Sequence, residues 1–291
     1  MPSTRDIRRR IRSVKNTAQI TKAMQMVAAS KMRRAQQAAT SGRPYATLIN
    51  AVLAGVTEHP LDFTHPLFEK REVRTRAVLL VSSDKGLAGA LNGNLLREAA
   101  KCDKATTTFI AAGRKGAQFI ARTQRKLAAE FTYKDSPHFS EARAISKFIQ
   151  DLFLKREVDQ VDVLFTKFVN TLTQKPEVRT LLPVGELKAF TTAGETPATA
   201  ATTAPADFIF EPDPAAVFGA LVPHYLNFQV FQILLEAKAS EHSARMVAMK
   251  NATDNAQDLI KDLTLEYNKL RQTNITKELL EITSATMTLG Q

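Results

Sequence analysis

The sequence predicts an α/β protein in which long helices at both ends of the chain flank a central layer of strands and helices. Three observations support this class: a seam of small residues near the N-terminus, a similar seam near the C-terminus, and alternating strand and helix patterns between them. Neither terminal segment can bury its apolar face alone, so we expect the two to pack together. With 291 residues, 44% of them apolar, the chain is long enough for one core and an appendage.

The N-terminal helix is expected to start at Ser3 and Asp6, which form a capping-box pattern. Residues 4–39 contain neither Gly nor Pro, and mostly small or apolar residues recur there every three or four positions, as in a heptad repeat. We expect the helix to continue past Gly42 towards Gly55. The seam consists of Ile7, Ile11, Val14, Ala18, Thr21, Gln25, Ala28, Met32, Ala35 and Ala39.

The middle of the chain alternates between strand and helix patterns. His-Pro pairs at His59 and His65 mark a turn-rich connection that ends near residue 74. Short apolar runs separated by amphipathic helices favour a largely parallel sheet. The low-complexity segment 191–206 predicts a flexible loop. The predicted strands cover residues 77–81, 106–111, 127–131, 161–169 and 178–182, and the predicted helices cover residues 95–100, 115–122 and 141–155.

The C-terminal helix is expected to begin at Asp213 and Pro214. No Gly or Pro occurs between Tyr225 and Leu289, and at about 1.5 Å per residue a helix from Pro214 to Leu289 would span on the order of 110 Å. A globular domain does not need such a length. Its predicted seam consists of Ala237, Ala244, Ala248, Ala252, Ala256, Leu259, Leu263, Tyr267 and Leu270.

Composition excludes several classes of protein and site. The single cysteine, Cys102, excludes an internal disulfide framework, and we expect it to be a small, at least partly buried side chain. The five histidines show no metal-ligand spacing, so we predict no structural metal. No apolar run approaches the roughly 20 residues that span a bilayer.

The net charge of +11 is concentrated at the N-terminus. Residues 1–40 contain ten basic residues and one acidic residue, Asp6, which gives this segment a charge of +9. Such a helix is typical of an organelle transit peptide, of a nucleic-acid-binding helix, of a helix that lies against acidic protein surfaces, or of a solvated basic face. Charge alone leaves these alternatives open. The first aromatic residue is Tyr45, so base stacking beside the basic residues is unsupported.

Glycines in the middle do not form a nucleotide-binding motif. Gly86, Gly89 and Gly93 have the spacing G-x-x-G-x-x-x-G, which is not the dinucleotide fingerprint. Residues 113–116 also lack the spacing of a phosphate-binding loop, and no nucleophile motif is present. We therefore expect a scaffold. An α/β enzyme remains the alternative, with a ligand near Ser82 at the carboxyl ends of the strands.

Four blocks of the sequence resemble the gamma subunit of F-type ATP synthases, in order and at the family's spacing. They cover roughly a third of the chain and are much more specific than a lone glycine motif. The blocks are RIRSVKNTAQITKAMQMVAASKM at residues 10–32, VSSDKGLAGALN at residues 81–92, EAKASEHSARMVAMKNATDNAQDLI at residues 236–260 and YNKLRQTNITKELLEI at residues 267–282.

The resemblance implies a fold and a division of the chain. In the family the terminal helices wind into a long antiparallel coiled coil inside an alternating ring of alpha and beta subunits, and a central Rossmann-like α/β domain forms the foot. By this resemblance, residues 1–58 are the N-terminal coiled-coil helix and residues 208–291 the C-terminal one. Residues 74–190 are the foot domain, and residues 191–207 are a flexible loop near the epsilon subunit and the rotor ring.

The same resemblance implies a rotor shaft that couples transmembrane proton flow to ATP synthesis at the beta subunits, with hydrolysis in reverse. It implies a non-catalytic chain without cofactor, one copy per complex, in contact with the alpha, beta and epsilon subunits and the c-subunit ring and not with nucleic acid. It places the complex on the cytoplasmic face of the bacterial inner membrane as a peripheral assembly. The family pattern begins close to Met1, so we expect no transit peptide.

Four residues match family positions for contact between shaft and ring and for coupling: Met24, Arg245, Arg271 and Gln272. Each also has a plainer interpretation. Met24 could simply pack between helices, as methionine often does. Arg245 could form a surface pair with Glu241 one turn earlier, worth a few tenths of a kcal/mol. Arg271 and Gln272 could be ordinary exposed helix residues.

Overall fold

The computed structural model describes residues 3–42, 44–46, 48–49, 65–184 and 213–289. The chain divides into two compact units, Met1–Val27 with Met246–Gln291, and Ala28–Arg245. The predicted loop 191–206 and the expected helix end near Gly55 lie outside the described residues.

The helices are α1 (Thr4–Ser41), α2 (Leu91–Ala100), α3 (Arg114–Arg122), α4 (Phe139–Leu154) and α5 (Pro214–Leu289). The strands are β1 (Arg76–Val81), β2 (Thr107–Ala112), β3 (Lys126–Phe131), β4 (Gln160–Phe168) and β5 (Gln174–Leu182).

Helix α1 begins with the predicted capping box. The Ser3 hydroxyl accepts a hydrogen bond from the Asp6 backbone N–H at 3.2 Å, and the Asp6 carboxylate accepts one from the Ser3 backbone N–H at 3.4 Å. These two bonds satisfy backbone donors that the first turn of a helix leaves free. Asp6 takes the place usually held by Glu or Gln.

The first unit is an antiparallel pair formed by the start of α1 and the end of α5. The hydroxyls of Thr21 and Thr253 lie 2.7 Å apart, and Arg8 donates a hydrogen bond to the Tyr267 hydroxyl, so the two helices run in opposite directions. Arg8 also lies over the ring of Tyr267, 5.3 Å from its centroid. The predicted pairing of the terminal segments is confirmed in this unit.

The predicted C-terminal seam is wrong at Leu259, which is 40% exposed. A line that takes several four-residue steps in succession, as the predicted one does after Ala244, rotates by about 40° at each step. It therefore leaves the observed seam at Leu259, although it shares Ala256, Leu263, Tyr267 and Leu270 with that seam. The observed seam is a line of buried and half-buried positions that alternates steps of four and three: Met249, Thr253, Ala256, Ile260, Leu263, Tyr267 and Leu270.

The second unit contains a five-stranded sheet in the order β3-β2-β1-β4-β5. Strands β1 to β4 are parallel and β5 is antiparallel to β4, so the predicted α/β class with a largely parallel sheet is confirmed. The strand order reverses beside β1, which is the switch point where sheets of this kind usually bind ligands. Both faces of the sheet are covered, because Leu79 and Val81 pack in one buried cluster and Val78 and Leu80 in another.

Helix α5 contains an 18-residue window that is apolar enough to cross a membrane. Half of that window is buried inside the protein. Its buried residues include Val222, Leu226, Ile233 and Leu234, which belong to the same cluster as Leu79. A core helix of a globular domain passes the same hydropathy test, so packing explains this apolar stretch.

Candidate functional site

Met24 lies on α1 within the first unit and is half-buried. Its neighbours Met26 and Val27 are 60% and 55% exposed, and Ile20, one turn earlier, is 61% exposed. Ile20 and Val27 are seven residues apart, so they share one face of α1 away from the heptad seam and form an apolar strip there, whereas Met26 lies about 100° further around the helix. Sequence reasoning missed the strip, although apolar residues that fall outside the repeat are the signal that could have revealed it.

Arg271 and Gln272 lie near the end of α5 and are exposed, as is every residue from 271 to 284. This helix end carries large apolar side chains in solvent, among them Leu279, Leu280 and Ile282.

The structure does not bring Met24 and Arg271 together. The contacts between Thr21 and Thr253 and between Arg8 and Tyr267 place Arg271 level with the start of α1. Met24 is about 20 residues further along that helix, or about 30 Å at 1.5 Å per residue. The two positions therefore belong to separate parts of the pair's surface.

Arg245 lies in the second unit and its side chain is only 11% exposed. Its guanidinium forms an ion pair with Glu241 at 2.8 Å and donates to the backbone carbonyls of Lys85 and Gly86 at 3.3–3.4 Å. The expected pair with Glu241 is therefore present, but its expected position at the surface is wrong, because both side chains are largely buried. A buried pair of this kind involves a desolvation penalty of several kcal/mol per ion, far larger than a surface pair's contribution.

His242 lies beside this pair and is neutral at physiological pH. Burial is the main reason that its pKa falls from 6.5 to about 4. Its Nδ1 atom is 3.3 Å from the Arg245 guanidinium. Since a guanidinium can only donate, Nδ1 accepts this hydrogen bond and the ring proton lies on Nε2.

The basic face of α1 in the first unit is exposed. Arg9 forms an ion pair with Asp6 at 3.2 Å, with both side chains largely in solvent. A surface pair of this kind contributes little stability, so the charges remain available to a partner. The other exposed basic residues of this segment are Arg5, Arg8, Arg10, Arg12, Lys15 and Lys22.

The crevice at the carboxyl edge of the sheet is filled by the chain's own polar groups. The start of α3, where a phosphate would bind in a nucleotide-binding fold, is satisfied by Ser82 and Asp84. The Ser82 hydroxyl accepts from Gly116 N at 2.7 Å, and the Asp84 carboxylate accepts from Arg114 N at 3.0 Å. Among the residues that the structure describes, no group of three or more His, Cys, Asp or Glu side chains could hold a metal ion.

Cys102 is half-buried, and burial raises the pKa of its thiol. A thiol with a raised pKa carries little thiolate at neutral pH, so it is a weak nucleophile. The expectation of a small, partly buried side chain is confirmed.

Comparison with known proteins identifies the family. A family model described as ATP synthase matches residues 3–289. The ATP synthase gamma chain of Opitutus terrae is 50% identical over 289 residues, which cover 98% of each chain.

Two cryo-EM structures of the Euglena gracilis mitochondrial ATP synthase contain chains with a similar fold. A chain of the complex in rotational state 3 has a TM-score of 0.68 and 18% identity, over 98% of this chain and 94% of that one. A chain of the rotor in rotational state 1 has a TM-score of 0.65 and 19% identity, over 94% and 98%. The family model and the 50% identical relative each match nearly the whole chain, and the chain therefore belongs to the ATP synthase gamma chain family.

Proposed function

We propose that this chain is the central rotor shaft of an F-type ATP synthase. Proton flow through the membrane turns the shaft, and rotation changes the state of the catalytic sites on the beta subunits so that ATP is made; ATP hydrolysis turns the shaft in reverse. Membership in the gamma chain family and the likeness to a chain of the Euglena gracilis rotor support this role.

The exposed end of α5 is the structural observation that best supports the proposal. The end of α5 exposes every residue from 271 to 284, including the large apolar side chains of Leu279 and Leu280. Large apolar side chains that are exposed together mark a surface that a protein partner covers. A sleeve formed by the alternating alpha and beta subunits would supply that cover while leaving the shaft free to turn.

The mechanism needs no chemistry on this chain, and we propose that it is non-catalytic. The two helices of the first unit differ in sequence, so the pair presents different side chains in each direction. A shaft of this kind changes a beta subunit's state only by contacting its open and closed forms differently. The exposed strip of Ile20 and Val27 and the basic face of α1 are two such distinct surfaces.

We propose that Met24, Arg271 and Gln272 contact the ring, and that Arg245 contributes to coupling. Arginine suits such contacts because its planar fork binds a carboxylate through two hydrogen bonds and stays charged.

The division of the chain follows the same proposal. Residues 1–58 and 208–291 form the shaft, residues 74–190 the foot on the c-subunit ring, and residues 191–207 a loop close to the epsilon subunit. One copy would serve each complex, as a peripheral subunit on the cytoplasmic face of the bacterial inner membrane.

Reconstitution tests the proposal. Purified alpha and beta subunits are assembled with and without the full chain, and ATPase activity is measured across a size-exclusion profile. The chain is expected to co-elute with a large complex and to sustain its turnover. A chain that neither joins the complex nor changes the rate would contradict the rotor role.

Two variants then test the contact residues in the same assay. Arg271→Ala is expected to weaken the binding of the chain to the alpha and beta subunits by roughly 1–2 kcal/mol, or about tenfold in Kd. Arg97→Ala on α2 is the control and should leave this affinity unchanged.

Met24→Lys introduces a charge beside an apolar strip and should reduce the number of ATP molecules made per proton passed. An unchanged affinity in Arg271→Ala would show that Arg271 does not contribute to the contact. An unchanged ratio of ATP to protons in Met24→Lys would show the same for Met24.

A further inference from the structure

Two turns of α5 carry a buried group of polar side chains that lies inside the second unit. Lys238, Glu241, His242 and Arg245 occupy positions i, i+3, i+4 and i+7, so they share one face of the helix. The Lys238 side chain is 1% exposed, although lysine is among the residues least often buried. We call these four residues together with Asp135 the charge cluster.

Glu241 is held between two cations. Its carboxylate lies 3.0 Å from the Lys238 ammonium and 2.8 Å from the Arg245 guanidinium. Two cations and one anion leave an excess positive charge on the helix, and Asp135, in the segment after β3, lies 3.8 Å from Lys238 and offsets it.

The charge cluster ties α5 to three other parts of the second unit. Arg245 donates to the carbonyls of Lys85 and Gly86 in the turn after β1. Asp135 also pairs with Lys31 of α1 at 2.5 Å, and this bond is the main reason that the pKa of Asp135 lies below its ordinary value.

Tyr133 completes the connection to the sheet. The Lys238 ammonium lies 4.5 Å from the centroid of the Tyr133 ring, a cation–π contact. The phenol donates to the Ser82 carbonyl at the end of β1, at 3.1 Å. Burial raises the pKa of Tyr133, which keeps the phenol protonated and able to donate this bond.

Stability alone does not explain the charge cluster. Replacing buried ion pairs by apolar residues of similar volume is often neutral or stabilising, so such pairs are weak evidence for stability and serve in some proteins to fix one arrangement. The preceding turns of α5 pack through apolar residues such as Leu226, Ile233 and Leu234. Apolar contacts are not directional, whereas ion pairs and hydrogen bonds require one orientation of the helix.

The charge cluster also occupies a special place in the fold. It lies against the turns that follow β1 and β3, at the carboxyl edge of the parallel strands, where doubly wound sheets usually hold a ligand. Here a helix of the same chain fills that edge with its own charges.

We propose that the charge cluster is a torsional clamp, which fixes the rotation of α5 on the α/β domain so that torque passes between them without slip. Lys238, Glu241 and Asp135 are positioning residues and touch neither nucleotide nor the catalytic ring. The clamp rests on the rotor function proposed above, because only a turning shaft transmits torque.

The test uses the complete membrane-bound ATP synthase carrying Glu241→Gln in the full chain. Two quantities are measured: the protons pumped per ATP hydrolysed in sealed vesicles, and the angular fluctuation of a probe on the α/β domain when the catalytic ring is fixed and stalled. We expect hydrolysis to continue, the pumping ratio to fall and the fluctuation to widen. A role in folding alone would lower the melting temperature and leave both quantities unchanged in the assembled complex.

A matched control and a milder variant complete the test. Glu98→Gln removes an exposed ion pair of the same i,i+3 spacing on α2, where Lys101 lies 2.8 Å away, and should change neither quantity. Asp135→Asn removes the ion pair with Lys31 at a side chain that is half-exposed, so it should disturb folding less than Glu241→Gln. If the Glu241→Gln chain does not assemble, the pumping ratio and the fluctuation of Asp135→Asn test the clamp instead.

The outcomes separate the clamp from the rotor function. Normal pumping and normal fluctuation in Asp135→Asn and in every assembled Glu241→Gln complex would overturn the clamp. Failure of the unsubstituted chain to rotate would instead overturn the function on which the clamp rests.

Discussion

At the scale of single residues, burial changes the charge that a side chain can carry. Glu236 lies on α5 within the second unit and is buried, and burial is the main reason that its pKa rises from 4.5 to about 7. Arg179 and Lys167 act in the opposite direction, and Glu177 adds to the rise. The carboxyl therefore binds a proton in the folded chain at a pH where the unfolded chain has lost it.

We predict that Glu236→Gln stabilises the full chain at alkaline pH. Below about pH 4.5 the carboxyl is protonated in both states, so the stability that it contributes is fully present, and it is lost as the pH rises through about 7. At pH 8 the variant should be more stable by up to roughly 3 kcal/mol, since each pKa unit corresponds to about 1.4 kcal/mol.

Urea denaturation at pH 4.5, 6 and 8 measures this difference in the free energy of unfolding. The advantage of the variant should shrink as the pH falls. A difference that stays constant over this range would contradict the assignment.

At the scale of secondary-structure elements, one glycine sets the turn between β2 and α3. Gly113 has φ of +105°, and a Cβ atom built there would lie 2.2 Å from the Ser82 carbonyl oxygen. Its N–H donates to the Phe131 carbonyl at 3.0 Å, and its own carbonyl accepts from the Ser82 hydroxyl at 3.1 Å. The turn thereby joins the ends of three neighbouring strands, which brings the residues around Ser82 into position for the clamp.

We predict that Gly113→Ala destabilises the chain by about 3 kcal/mol or more, because it adds a steric clash to an unfavourable backbone conformation. Gly93→Ala is the matched control. Gly93 lies inside α2, and a Cβ atom added there would have nothing within 4 Å, so alanine should stabilise the helix by about 0.5–1 kcal/mol. Chemical denaturation of both variants measures the difference, and equal stabilities would show that the turn tolerates a side chain.

Most elements could be predicted from the sequence because their signals are local. The strand predicted at residues 77–81 is observed as Arg76–Val81, and the helix start expected at Asp213 and Pro214 is confirmed, with Ala216 N donating to the Asp213 carboxylate at 2.8 Å. Apolar runs, capping residues and glycines report on their own neighbourhood, so they fix the element and its approximate ends.

The parts that could not be predicted depend on packing between distant segments. Apolar periodicity places Leu259 on the seam because it does not show which of two adjacent faces meets the partner helix. The i,i+4 spacing of Glu241 and Arg245 predicts a surface pair because such spacing is typical of exposed helices. Only the folded unit reveals that the loop after β3, the turn after β1 and α1 enclose these turns of α5.

At the scale of the whole molecule, different parts of one chain have different tasks. The paired ends expose apolar and basic surfaces, at Ile20 and Val27 and along the arginines of α1, that partners can contact in turn. The α/β domain provides a rigid body whose sheet is covered on both faces. The proposed shaft and foot can act as one rotor only if the chain turns as a unit against the catalytic ring.

Direct observation of rotation tests whether the chain turns in this way. A gold particle is attached through Leu172→Cys, a position that is 80% exposed between β4 and β5, in a chain whose Cys102 is replaced by serine. With the reconstituted ring fixed to a surface and ATP supplied, we predict stepwise rotation of the particle in one direction that stops when ATP is removed. A complex that contains the chain and hydrolyses ATP while the particle stays still would contradict the rotor function.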